Sequence, residues 1–295
     1  MPITRQHAAL IALLRRTKPR LATELLEDHE TPLQALEQLL VGGQLSLDAD
    51  PGADLESAIA DAVCELKTWE DEGIEVITVL DEDYPLNLRT VHDKPLMLMI
   101  RGRLATPDER SVAVVGTRSA TEAGLRRAAD IAYNLIDAGY VVVSGLAAGI
   151  DSAAHRAALD RGGRTIAVIG TGLRHAFPKE NAELQARLGR EHAVISQFWP
   201  DQGPRRHTFP MRNAVMSGLS RATVVVEASY TSGARMQARL ALEHGRPVVL
   251  LRSLIHAHEW AQQYAERPGV YVVDQVSEVV DRLDSLYAPK LSLAI

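Results

Sequence analysis

The chain carries a single cysteine, Cys64, among 295 residues, which excludes a disulfide framework and suits a reducing compartment. It also lacks long hydrophobic runs. No apolar stretch approaches the roughly 18 residues of a membrane span, and the amino terminus has no signal-peptide pattern. These absences lead us to expect a cytoplasmic protein with no membrane partner. Net positive charge is missing too, since the formal balance is -6. The deficit is uneven, however: residues 1–110 hold 21 acidic and 11 basic side chains, and the remainder holds 17 and 21. The acidic part reads as a module that keeps the molecule in solution, and the basic part as the place for a polyanion site.

The remaining composition, 46% hydrophobic and 24% charged, is ordinary globular material, enough for one large core and a small domain. The chain is organised around residues 112–151, VAVVGTRSATEAGLRRAADIAYNLIDAGYVVVSGLAAGID. Val112 to Val115 is too short for a helix and rich in β-branched residues, so it reads as a buried strand ending at Gly116. Ser119 and Glu122 then open an amphipathic helix with a capping-box spacing. Gly139 ends it, Tyr140 to Val143 repeats the strand pattern, and Ser144 to Gly149 turns into a second helix capped by Asp151. Two such turns at neighbouring strand ends, each leading into a helix amino terminus, favour an anion.

Neither turn has the dinucleotide fingerprint, because Thr117 and Arg118 follow Gly116 where a second glycine would admit a pyrophosphate. Arg118 is either a phosphate contact or a solvated surface charge. Further buried strands are expected at Thr165–Ile169, Ala193–Ser196, Thr223–Glu227, Pro247–Leu251 and Gly269–Val273, with helices between them. This alternation predicts an α/β fold with a doubly wound, mostly parallel sheet. Arg118, Gly145, Lys179 and Arg212 then gather at the strand carboxyl ends. Lys179 at a predicted helix start opposes the helix dipole unless an anion compensates it. The stretch 197–221 interleaves Arg205, Arg206, Arg212, Arg221 and His207 with Phe198, Trp199 and Phe209, a pattern that suits single-stranded nucleic acid. The aromatic residues serve equally as anchors for a long loop, and Phe209 is read that way, with Pro210 starting the next helix.

Ahead of the sheet, residues 7–40 read as three short helices, 41–54 as a linker, and 54–72 as a helix. Strands follow at Ile74–Leu80 and Pro95–Ile100. Residues 81–89, DEDYPLNLR, read as a turn with an anchored tyrosine. Lys18 and Arg20 around Pro19 read as a solvated interhelical turn rather than a phosphate contact. Asp81 and Asp83 lack further ligands at a suitable spacing, as do His256 and His258, so no metal and no cofactor is expected. No GxSxG surrounds Ser144, and an Asp151–His155 pair four residues apart is ordinary helix structure.

The blocks GTRSATEAG, SGLAAGIDSAAH, GGRTIAVIGTGL, FPKEN, FPMRN, GLSRATVVVEA and SGARMQARLALEHGRPV, in this order, resemble the DNA-processing protein A (DprA/Smf) family. The resemblance implies an extended Rossmann-like fold at 54–288 behind a small helical domain, similar to a sterile-alpha-motif module, with its linker at 1–53. It leaves no room for the carboxyl-terminal winged helix that some members carry. It also implies a homodimer that binds single-stranded DNA and hands it to the recombinase RecA in natural transformation, without catalysis. Arg118, Lys179 and Arg212 match the family's basic positions, where they would grip successive phosphates. Gly116, Thr117, Ser144, Gly145, Gly149, Gly172, Asn181 and Asn213 match its turns and asparagines, and Arg205 and Arg206 add charge. The sequence departs from the pattern at Gln197, Ala214, Arg235 and Arg252. A second reading on the same fold is a nucleotide sensor or a phosphoribohydrolase-like enzyme. For the enzyme the sequence offers no carboxylate in the first turn after Ser232, only Glu227 on the preceding strand.

Overall fold

The computed structural model describes residues 3–43 and 51–288. Half of the expected linker at 41–54, residues 44–50, lies outside the described residues, while its described parts, 41–43 and 51–54, are helical. Two compact units divide the chain, Met1–Tyr84 with Pro95–Leu98, and Pro85–Lys94 with Met99–Ile295. Residues 54–84, expected with the second domain, therefore group with the amino-terminal helices.

The first unit packs α1 (Arg5–Arg16), α2 (Pro19–Asp28), α3 (Pro32–Gly43) and α4 (Pro51–Asp71), then adds strand β1 (Glu75–Thr78). Leu10, Ile11 and Leu13 of α1 are fully buried with Leu36 of α3 and Ala58 of α4. Thr4 caps α1 by accepting from the His7 amide, and the His7 ring lies 2.9 Å from Asp81. Asp81 also accepts from the amide and hydroxyl of Thr78, so it serves the turn. The expected anchored tyrosine is Tyr84, buried, with its hydroxyl donating to the Pro95 carbonyl at 2.7 Å. Lys18 and Arg20 are exposed, and Arg20 pairs with Glu24 one turn on.

The second unit starts with α5 (Leu86–Arg89), where a turn was expected, and continues from Met99 of β2 (Met97–Gly102) into β3 (Ser111–Val115). Then come α6 (Glu122–Asp137), β4 (Val141–Ser144), α7 (Ile150–Asp160), β5 (Thr165–Val168), α8 (Ala182–Glu191) and β6 (Ala193–Ser196). The chain ends through α9 (Thr208–Leu219), β7 (Ala222–Val225), α10 (Gly233–Glu243), β8 (Val248–Leu251), α11 (Arg252–Ala257), α12 (Glu259–Ala265), β9 (Val270–Val273) and α13 (Glu278–Tyr287). The strands run in the order β2-β6-β5-β4-β3-β7-β8-β9; β2 pairs with β6 antiparallel, and every other neighbouring pair is parallel. The α/β fold with a mostly parallel sheet is thus present. Beta-branched runs with no polar face bury β3 to β8 on both sides, as parallel strands between helix layers require. Ile131 and Leu135 of α6 close one face, each contributing about 1.5–3 kcal/mol of burial.

His155 of α7 lies in that core. Thr165 donates its hydroxyl to the Val142 carbonyl at 2.9 Å, so the same oxygen accepts the His155 Nδ1 proton at 2.7 Å. Burial pushes the imidazole pKa down to about 3. The unfolded chain takes up that proton near pH 6.5, so His155 favours unfolding progressively as pH falls from there toward 3. Between pH 7.5 and 5 it is expected to cost about 2 kcal/mol, and His155→Gln to remove that acid sensitivity in urea unfolding curves. An unchanged pH dependence in the variant would refute a buried neutral imidazole.

The strand order places the switch point between β3 and β7. The chain leaves β3 toward β4, β5 and β6 on one side and returns through α9 to β7 on the other. A crevice at the carboxyl ends of strands flanking such a point is the usual ligand position.

Candidate nucleic-acid interface at the strand carboxyl edge

Three of the turns at this edge bring the expected residues together, but the two helix starts expected to take an anion are filled from within. After β3, Gly116 and Thr117 are half-buried, and the Thr117 amide donates to the Glu227 carbonyl at 2.6 Å. Thr121, rather than Ser119, caps α6 by accepting from the Gly124 amide. The Glu227 carboxylate accepts from the Thr121 hydroxyl at 2.8 Å and from its amide at 3.3 Å. Glu227, weighed as a catalytic group, is thereby engaged at the α6 start. After β4, Gly149 rather than Asp151 caps α7, with φ +79. Asp151 sits in the first helical turn and accepts from the amides of Gly145 and Ala147 at 3.1 and 3.3 Å. An internal carboxylate thus stands at the α6 start, and at α7 the Ile150 and Ser152 amides donate to the Thr117 and Ala147 carbonyls at 3.3 and 3.2 Å while Asp151 fills the turn ahead of them.

Arg212 is where structure and expectation differ most. It enters from α9, is 6% exposed, and points under the edge. Nη1 donates to the carbonyls of Gly145 and, at 2.9 Å, Val168; Nε donates to Asn213 Oδ1 at 2.9 Å. Its side chain ties the ends of β4 and β5 to α9. Burial lowers the guanidinium pKa and raises that of Asp151, each effect opposed by the other group's charge. The arginine stays protonated. Pro210 occupies the third position of α9, not its start, because Thr208 opens the helix.

Several other expected contacts are also internal. Ser144 donates to the Val114 carbonyl at 2.7 Å. Asn181 donates to Ser152 Oγ and to the carbonyl of Leu146, a residue held at φ 56. Such a left-handed leucine costs of order 1–3 kcal/mol unless its surroundings enforce it. Asn213 donates to the Gly233 carbonyl at 3.3 Å, and Gly172 packs its α-carbon against the carbonyls of Trp199 and Pro200. Gly145 is buried between the Arg212 and Asp151 side chains.

Of the cations expected at the site, Arg118, Lys179, Arg205 and Arg206 face water. Lys179 opens a short 3-10 turn, Lys179–Asn181, ahead of α8 rather than α8 itself. The Arg118 guanidinium lies 5.4 Å from the Phe209 ring centroid, with the Arg212 guanidinium 5.9 Å from the same ring. Phe177, 40% exposed, stacks at a tilt on Phe209 with centroids 5.6 Å apart. Phe209 presses on Gly170, where a Cβ would stand 2.9 Å from the ring. It is therefore the anchor that sequence reasoning expected, and Phe177 is the exposed aromatic that it passed over. The signal was the phenylalanine two residues before Lys179. At the turn after β7, Arg235 lies over Tyr230 at 4.2 Å, and Tyr230 is 66% exposed.

The fold and this edge define a class: a doubly wound α/β protein whose strand carboxyl edge offers exposed cations beside stacked aromatic rings, over helix starts closed by its own carboxylates. Residues 75–284 match the family model of DNA recombination-mediator protein A, and the chain belongs to that family. It is 42% identical over 171 residues to the DNA processing protein DprA of Streptococcus pneumoniae, covering 58% of this chain and 60% of that one. With the Bacillus subtilis DNA processing protein DprA it shares 36% over 184 residues, 62% of each chain. The match therefore spans about 60% of the length of these relatives. The X-ray structure of the S. pneumoniae protein superposes with a TM-score of 0.74 at 29% identity, over 95% of this chain and 98% of that chain. A Helicobacter pylori DNA processing protein A, whose structure concerns its single-stranded DNA binding mode, shares the fold at 24% identity. Its TM-score is 0.65, over 72% of this chain and 97% of that chain. No helix among the described residues is long and apolar enough to cross a membrane.

Proposed function

We propose that the chain binds single-stranded DNA at the strand carboxyl edge and delivers it to the recombinase RecA during DNA uptake, working as a homodimer in the cytoplasm without a catalytic step. The observation that carries this reading is the exposed pair Arg118 and Phe177, both packed on the half-buried Phe209 ring, with the exposed Lys179 close by in sequence. Cations that follow a phosphate backbone beside rings that stack bases are what a sequence-tolerant single-strand site needs. Membership of a recombination-mediator family supports it.

In this reading Arg118 and Lys179 contact phosphates directly, and Arg205 and Arg206 extend the path. Arg212, Asn181, Asn213, Ser144, Gly145, Gly149 and Gly172 hold the turns in place from beneath, while Gly116 and Thr117 carry Arg118. A mononucleotide fits less well, because the helix starts that would cradle its phosphate hold Asp151 and Glu227.

The test is competition for a fluorescent oligothymidylate. Unlabelled single strand should displace it, with duplex and mononucleotides far weaker. Phe177→Ala should weaken binding by about 1–3 kcal/mol, the cost of losing one stacked base. Displacement by a mononucleotide at concentrations where the single strand fails would overturn the reading.

A further inference from the structure

At one place among the described residues, three metal-capable side chains converge: His92, Asp93 and His244 each offer a donor atom, all within 4.8 Å of one another. His92 and Asp93 are exposed in the segment after α5, and His244 is the C-cap of α10. Because α10 runs back from the end of β7 to the start of β8, this cluster lies on the sheet edge opposite Arg118. The His244 ring is buried; its Nδ1 lies 2.6 Å from Ser217 Oγ and its Nε2 2.7 Å from Asp93 Oδ1. The His92 ring stands edge-on to it, with centroids 5.6 Å apart.

We propose that His92, Asp93 and His244 form a zinc site. Two imidazoles and one carboxylate make a donor set for a borderline first-row ion, whereas calcium and magnesium favour oxygen alone. Ser217 supplies the outer contact that such a histidine needs: when the ion displaces the Nε2 proton now shared with Asp93 to solvent, Ser217 accepts from Nδ1–H and holds the imidazole in the tautomer whose Nε2 lone pair faces the ion. Tetrahedral bonds of about 2.0–2.1 Å put neighbouring ligand atoms about 3.3 Å apart, so Asp93 has only to draw back slightly from its present 2.7 Å. His92, being exposed, turns in as the third ligand, and water takes the fourth position. The ion would fasten residues 92–93 to the end of α10, beside the bonds that Arg246 makes to the Asn87 carbonyl and Thr90 hydroxyl at 2.7 and 2.9 Å.

The test is titration of the untagged, chelator-treated full chain with Zn2+ at pH 7.5 by calorimetry, with Co2+ as a visible probe of tetrahedral coordination. One ion per chain, a raised Tm and a tetrahedral Co2+ spectrum are expected. His92→Ala, at an exposed position, should weaken binding at least tenfold and remove the Tm gain. Ser217→Ala should weaken it about 10–100-fold while leaving all three ligands in place. Failure to take up one equivalent, or equal affinity in the wild type and His92→Ala, would overturn the site.

Discussion

Arg212→Ala is expected to destabilise the protein by about 3–5 kcal/mol in urea unfolding at neutral pH. The guanidinium is buried and holds the carbonyls of Gly145 and Val168 together with Asn213 Oδ1. Its removal leaves those carbonyls unpaired and Asp151 buried without its favourable charge. The pH dependence has a definite sign. Burial raises the Asp151 pKa above its unfolded value of 3.8, so the folded state binds that proton more readily, and stability falls as pH rises through the raised value. Without Arg212 the carboxyl is raised further, and the loss extends to higher pH. Adding Asp151→Asn should recover part of the deficit, because an amide needs no countercharge. Additive single-mutant costs in the double-mutant cycle would show that the two groups are uncoupled.

Gly172→Ala is expected to cost about 3 kcal/mol, or to prevent folding at 37 °C. A Cβ there would overlap the carbonyl oxygens of both Trp199 and Pro200, and neither can move as a flexible side chain does. The Gly172 amide also donates to the Gln202 carbonyl at 2.7 Å, so separating the strands of the turn breaks that bond. Urea midpoints of the two proteins check this. Gly203→Ala is the control nearby, since a Cβ at that position meets nothing within 4 Å.

How much of this was legible in the sequence varies with the physical signal. Ala193–Ser196 is a strand at the expected residues because a short apolar run between polar flanks is a local signal. The turns at Gly116 and Gly145 were also readable, since a strand that meets a helix across a few small residues leaves the chain little choice. Depth was not readable. Arg118 and Arg212 look alike in a sequence, and only the fold shows that one is exposed while the other lies beneath Gly145. The carboxylates at the helix starts escaped for the same reason. Glu227 reaches Thr121 across the β3–β7 switch point, a contact between residues distant in the chain. Cap positions shifted by two residues at Thr121 and Gly149, where several small or hydroxyl residues compete for one role.

Single-stranded DNA binding at the strand carboxyl edge is tested most directly by the salt dependence of oligothymidylate binding by anisotropy, for the wild type and for Arg118→Ala/Lys179→Ala. Each phosphate neutralised on a single strand contributes about 0.7 to the slope of log K against log salt. Loss of two exposed cations should therefore flatten the slope by about 1.4 and weaken binding of all sequences alike. The urea midpoint should stay put, since both side chains face water. A slope and affinity identical to the wild type would mean that DNA passes elsewhere on the molecule, and would contradict the assignment of this edge.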